Sequence, residues 1–208
     1  MANTTFTGPV RSKGGFTSIS ENATTGAITT LSSISSTGVT SFDANTLSTE
    51  AGTGITGGTG TIYRSSVQRV GGIITTRILI DLTGLRSTAS GDIIGVNGTS
   101  NVCHLGQITA AQNGTILTGS MECFEAPTGG DPDINVHSAT ESTGVEDGAI
   151  SSLTETLLVN AGDATLGSKV YFSAVPAADE FLYLTLGDTT DADYTAGKLF
   201  IELMGYAA

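Results

Sequence analysis

Arg77-Ile78-Leu79-Ile80-Asp81-Leu82 alternates with a period of two. In an extended strand, side chains two apart share a face, so Ile78, Ile80 and Leu82 fall on one side and Arg77 and Asp81 on the other. The same reading spreads outward. Ile93-Ile94-Gly95-Val96 runs into Asn97-Gly98, a dipeptide suited to a type I′ turn. A second Asn-Gly, Asn113-Gly114, separates residues 105–111 from Thr115-Ile116-Leu117 and predicts a hairpin. Further strands are expected over 153–159, 169–175, 181–186 and 199–204. Segments 127–148 and 187–197 read as acidic loops. No segment has a helical period. Many short strands with regular turn signals predict an all-β chain, a jelly-roll or related β-sandwich spanning residues 61–208.

Residues 1–60 read differently. Phe6, Phe16 and Phe42 are isolated aromatics in a Ser/Thr/Gly background, and pieces such as Ile28-Thr29-Thr30-Leu31 are too short to bury a face alone. The segment is expected to be an extended N-terminal arm with short strands, needing a second chain to offset its ordering entropy. The glycine-rich run 52–60 is expected to be a loop or hinge.

Composition narrows the function classes. Gly, Ser and Thr make up 83 of the 208 residues, charged residues only 13%. Mean hydropathy is +0.15, which argues against general disorder. The net charge of −12 is unevenly placed: residues 1–100 carry six basic and five acidic groups, residues 101–208 two and fifteen. The acidic half repels phosphate, so no nucleic-acid partner is expected. No apolar run approaches the ~20 residues of a membrane span, and Met1–Phe6 lacks a secretory signal, so the expectation is a protein made in a cytosol, with no membrane partner.

Candidate chemistry is sparse. Gly52-Thr53-Gly54-Ile55-Thr56-Gly57 matches G-x-G-x-x-G, but without the flanking strand and helix that a dinucleotide site needs. His104 and His137 are the two histidines; His137 lies near Asp133 and Ser138, but no nucleophile elbow surrounds it. Cys103 and Cys123 lack zinc-ligand spacing with them. In the predicted hairpin, Gln112 faces Thr115, so the two cysteines miss direct opposition by one residue; one bulge would align them for a disulfide, and free, buried thiols are the favoured expectation. Asp131 and Asp133, and Asp188, Asp191 and Asp193, lack a full calcium-loop pattern. The expectation is no enzyme, no catalytic residue, no metal and no cofactor.

The two ends carry a resemblance. Ala2-Asn3-Thr4-Thr5-Phe6-Thr7-Gly8-Pro9-Val10-Arg11-Ser12-Lys13-Gly14-Gly15-Phe16 resembles the start of small structural proteins of tailed bacteriophages. Thr195-Ala196-Gly197-Lys198-Leu199-Phe200-Ile201-Glu202-Leu203-Met204-Gly205-Tyr206 resembles their last strand. Such proteins are similar to head decoration (cement) proteins. The resemblance implies a β-sandwich, no enzyme activity and a homotrimer on the outer capsid surface of a virion assembled in a bacterial host cytoplasm. Its partner would be the major capsid protein. Phe6, Pro9, Arg11, Lys13 and Phe16 are the candidate capsid-contact residues: aromatic anchors, a stiffened link and two cations. The competing reading is a receptor- or glycan-binding β-module of a phage tail or fibre. A fibre should carry a long repeating shaft, and a glycan binder should expose aromatics.

Overall fold

A computed structural model describes residues 16–21, 28–34, 40–42 and 50–207. The chain divides into two compact units, Met1–Ala44 and Asn45–Ala208. In the first, β1 (Phe16–Glu21), β2 (Ile28–Ile34) and β3 (Thr40–Phe42) form an antiparallel sheet in that order.

The second unit begins with a short helix, α1 (Thr53–Thr56), followed by β4 (Ile62–Val70), β5 (Ile73–Asp81) and β6 (Arg86–Ser87). Another short helix, α2 (Ala110–Asn113), precedes β7 (Thr115–Thr128) and β8 (Ile134–Ala139). A 3-10 turn at Ile150–Ser152 leads to β9 (Glu155–Val159), β10 (Lys169–Tyr171), β11 (Phe181–Leu186), β12 (Ala192–Asp193) and β13 (Ala196–Tyr206). The fold is all-β, with 48% strand and 7% helix among the described residues. One sheet has the order β10-β7-β13-β5-β4, the second β11-β8-β9, and β12 pairs with β6.

The alternation read in the sequence builds the first sheet. In β5, Ile74, Thr76, Ile78 and Ile80 are buried, and in β13 Leu199, Ile201 and Leu203. Ile80 pairs with Leu199 and Ile78 with Ile201, so the inward residues sit side by side. They share one continuous core with Ile134 and Val136 of β8 and Leu182 and Leu184 of β11, as in a β-sandwich. The second sheet is covered more completely. In β11, Leu182 through Leu186 are all buried, the pattern of a strand covered on both faces. Its edge is completed by irregular chain: Ile94 and Leu105 donate their N–H groups to Leu184 and Leu182 at 3.0 and 2.7 Å.

Three expectations are corrected. Asn113-Gly114 does not turn a hairpin. Residues 110–113 form α2, Thr109 caps it, and Gly114 follows at φ +71°, a conformation that favours glycine. The Asn113 side chain is fully buried. It accepts from Thr109 N–H and donates to Thr76 Oγ1, both at 2.8 Å, so its hydrogen bonds fix a tertiary contact in place of a local turn. Residues 127–148 are not simply a loop, because β8 lies within them and pairs with both β11 and β9. Residues 50–60 pack with the β-domain. Gly52 and Gly54 N–H groups bond to His104 and Val102 carbonyls at 2.8 and 2.9 Å, and Ile55 is fully buried.

Candidate interaction surface

The outward face of the five-stranded sheet follows from the same alternation. Opposite the buried residues of β5 and β13 stand Ile73, Thr75, Arg77, Leu79 and Asp81, and Lys198, Phe200, Glu202, Met204 and Tyr206. The register lines them up in rows: Asp81 beside Lys198, Leu79 beside Phe200, Arg77 beside Glu202, Thr75 beside Met204, Ile73 beside Tyr206. β7 extends the rows with Glu122 beside Phe200 and Ser120 beside Glu202, and β10 adds Lys169 and Tyr171.

One half of this face holds paired charges. Arg77 Nε lies 2.8 Å from Glu202 Oε2, Lys198 Nζ bridges Asp81 at 3.3 Å and Glu125, and Lys169 Nζ lies 3.5 Å from Glu122. Phe124 stacks on Phe200 with ring centroids 5.2 Å apart. Burial alone would raise the Asp81 carboxyl, but hydrogen bonds from Thr83 and the Lys198 ammonium outweigh it and hold the group below the usual carboxylate range. The other half is uncharged. Val70, Ile73, Met204 and Tyr206 are exposed there, and Tyr171, 70% exposed like Val70, stands at the boundary beside Ser120 with Lys169 Nζ 5.8 Å from its ring centroid. A shallow depression floored by Thr75, Thr118, Gly119 and Ser120 lies between Arg77 and Tyr171.

Charge is segregated around this surface. Arg64, Arg77, Lys169 and Lys198 on the face are matched by Asp81, Glu122, Glu125 and Glu202. The remainder of residues 50–207 carries two basic and fourteen acidic residues, a formal −12. The sequence reading missed this face. Its signal lay in β13, whose outward positions Phe200, Met204 and Tyr206 are apolar where a solvated face would be polar.

The residues singled out by sequence are scattered. Phe6, Pro9, Arg11 and Lys13 lie outside the described residues, and Phe16 is the first residue of β1. Cys103 and Cys123 are free and buried. The Cys103 thiol, pushed up to about 12 by burial, stays protonated. The Gly52–Gly57 run contains α1 in place of a phosphate-binding loop opening a long helix. His137 Nδ1 lies 2.7 Å from Glu155 Oε2. Asp131 accepts from Asp133 N–H at 2.9 Å and Thr190 N–H at 3.1 Å. Among the described residues, no group of three His, Cys, Asp or Glu is placed to hold a metal ion, and no helix is long and apolar enough to cross a membrane.

His104 is buried with its ring 5.0 Å from that of Phe181, and its Nδ1 has no hydrogen-bond partner among the described residues. Desolvation lowers its pKa below 6.5. The unfolded chain therefore binds a proton at this residue more readily than the folded one, and stability falls as pH drops below about 6.5. The urea midpoint should fall between pH 7 and pH 5 by less in His104→Leu than in the wild type. Equal falls would exclude His104 as the cause.

No protein family, no curated protein and no solved structure matches the chain.

Proposed function

We propose that the chain is a non-enzymatic virion structural protein that decorates and stabilises the outer surface of a tailed-phage capsid as a homotrimer. Its partners are the major capsid protein and further copies of itself. The reading rests on the resemblance at the two ends. The observation that supports it most is where the closing motif falls: Ala196–Tyr206 is β13, the middle strand of the five-stranded sheet. The opening motif ends at Phe16, the first residue of β1 in the unit Met1–Ala44. Among the described residues, His137 is held by Glu155, and His104 and both thiols are buried, which supports the non-enzymatic reading.

Phe6 and Phe16 are the proposed shell anchors, with Pro9 stiffening the chain between them and Arg11 and Lys13 meeting an acidic shell patch. Expanded, undecorated capsids should take up the purified protein, and a chain lacking residues 1–20 should remain folded yet lose capsid binding by tenfold or more, the effect of about 1.4 kcal/mol or more of anchor energy. Uptake of the shortened chain at full occupancy would refute arm docking. Failure of the complete chain to bind would refute the decoration role. Exposed Phe124, Tyr171 and Tyr206 on one face favour a second reading, a glycan-binding module of a tail or fibre, which retention on an immobilised host glycan would support.

A further inference from the structure

We propose that the outward face of the five-stranded sheet is where copies of this chain meet. The proposal gives the homotrimer of the reading above its contact surface, and it stands without the capsid. Among the described residues, eleven large hydrophobic side chains are exposed, and seven of them lie on this face, including Val70, Tyr171, Met204 and Tyr206. Clustered exposed apolar side chains are the usual mark of an association surface.

Charge points to the occupant. Two copies carry −12 each and repel through most of their surfaces. The sheet face is where that repulsion vanishes, because its four cations are matched in number by four carboxylates. In a symmetric assembly a patch meets its own copy or a neighbouring part of it. The uncharged half, with Met204 and Tyr206, and Tyr171 at its boundary can then cover apolar surface on the neighbour. The alternating Arg77–Glu202 and Lys198–Glu125 pairs can exchange partners without leaving a charge unmatched. A partner dominated by one sign of charge would find no such match. The size also fits. Five strands about 4.8 Å apart, with β4 and β5 each nine residues long, span roughly 20 by 30 Å. With side-chain relief this approaches the ~800 Å² per partner of a standard stable interface.

Sedimentation velocity of the full chain across the micromolar range tests this. The wild type should sediment at two or three times the chain mass of 21.0 kDa. Tyr171→Glu combined with Met204→Glu should return it to a single chain, with association weakened about tenfold or more by the charges each contact would bury. Both side chains are exposed, and an unchanged circular dichroism spectrum will show that the variant folds. If it does not fold, Tyr171→Glu alone carries the same test. A wild type that stays a single chain throughout, or a folded variant that keeps the wild-type mass, would overturn the proposal. Capsid uptake, measured separately, keeps the two readings apart: an oligomer that ignores capsids overturns the decoration role alone, and a monomer that binds them overturns the present proposal and the homotrimer while leaving capsid docking in place.

Discussion

A chain beginning at Thr61 should fail to reach the stability of one beginning at Asn45, although both retain every strand of the β-domain. The segment between them holds Ile55, fully buried, and Gly52 and Gly54, whose N–H groups bond to the carbonyls of His104 and Val102; Gly54 also accepts from Val96 N–H at 2.8 Å. Removing a buried isoleucine costs about 2–5 kcal/mol, and three lost hydrogen bonds add about 1 kcal/mol each. Together they approach the whole stability of a typical domain, about 5–15 kcal/mol. Urea unfolding followed by circular dichroism should give a midpoint near the wild-type value for the longer chain and a much lower one, or no folded baseline, for the shorter. Equal midpoints would show that the segment is dispensable.

Tyr183→Ala should destabilise the domain by about 3–5 kcal/mol, the usual cost of deleting a buried aromatic ring. Tyr183 is fully buried in β11. Its hydroxyl donates to Glu141 O at 2.7 Å and accepts from Gly144 N–H at 3.3 Å, and its ring lies edge-on to His104. It thus pins the turn 140–144 to the core from a strand some forty residues away. Tyr183→Phe separates the two contributions. Keeping the ring while stranding those backbone groups should cost about 1–3 kcal/mol. Denaturant midpoints of both variants measure the difference. A Phe variant as unstable as the Ala variant would assign the whole effect to the hydroxyl.

How much was legible depended on whether a residue's role was local. The alternation at Arg77–Leu82 is written in adjacent residues and Ile78, Ile80 and Leu82 are buried as expected, and the strand expected over 199–204 lies within β13. β11 occupies Phe181–Leu186, the range read from its apolar run. The Asn113-Gly114 signal failed because the side chain of Asn113 is committed to Thr76, which the sequence places 37 residues earlier. The run 52–60 reads as a loop or hinge because glycine usually signals freedom. Here glycine serves close approach: a Cβ on Gly54 or Gly95 would lie 2.3 Å from Cys103 Sγ. The interaction face was partly visible in Arg77 and Asp81, but its neutrality comes from pairing across β5, β13, β7 and β10, an order that no local pattern reveals.

That β13 lies in the middle of its sheet has a consequence for biosynthesis. It pairs with β5 on one side and β7 on the other, yet it is the last of these strands to be translated. Until residue 206 has cleared the ribosome, β5 and β7 each present an open edge toward the gap that β13 will fill. The sheet therefore closes after synthesis of the domain, through pairings with β5 between residues more than a hundred positions apart and with β7 between residues at least 68 apart, the kind of closure that folds slowly. During that interval a nascent chain is exposed to pairing with the β13 of a finished neighbour on the same polysome, and its low aromatic content and strong negative charge are what hold such neighbours apart.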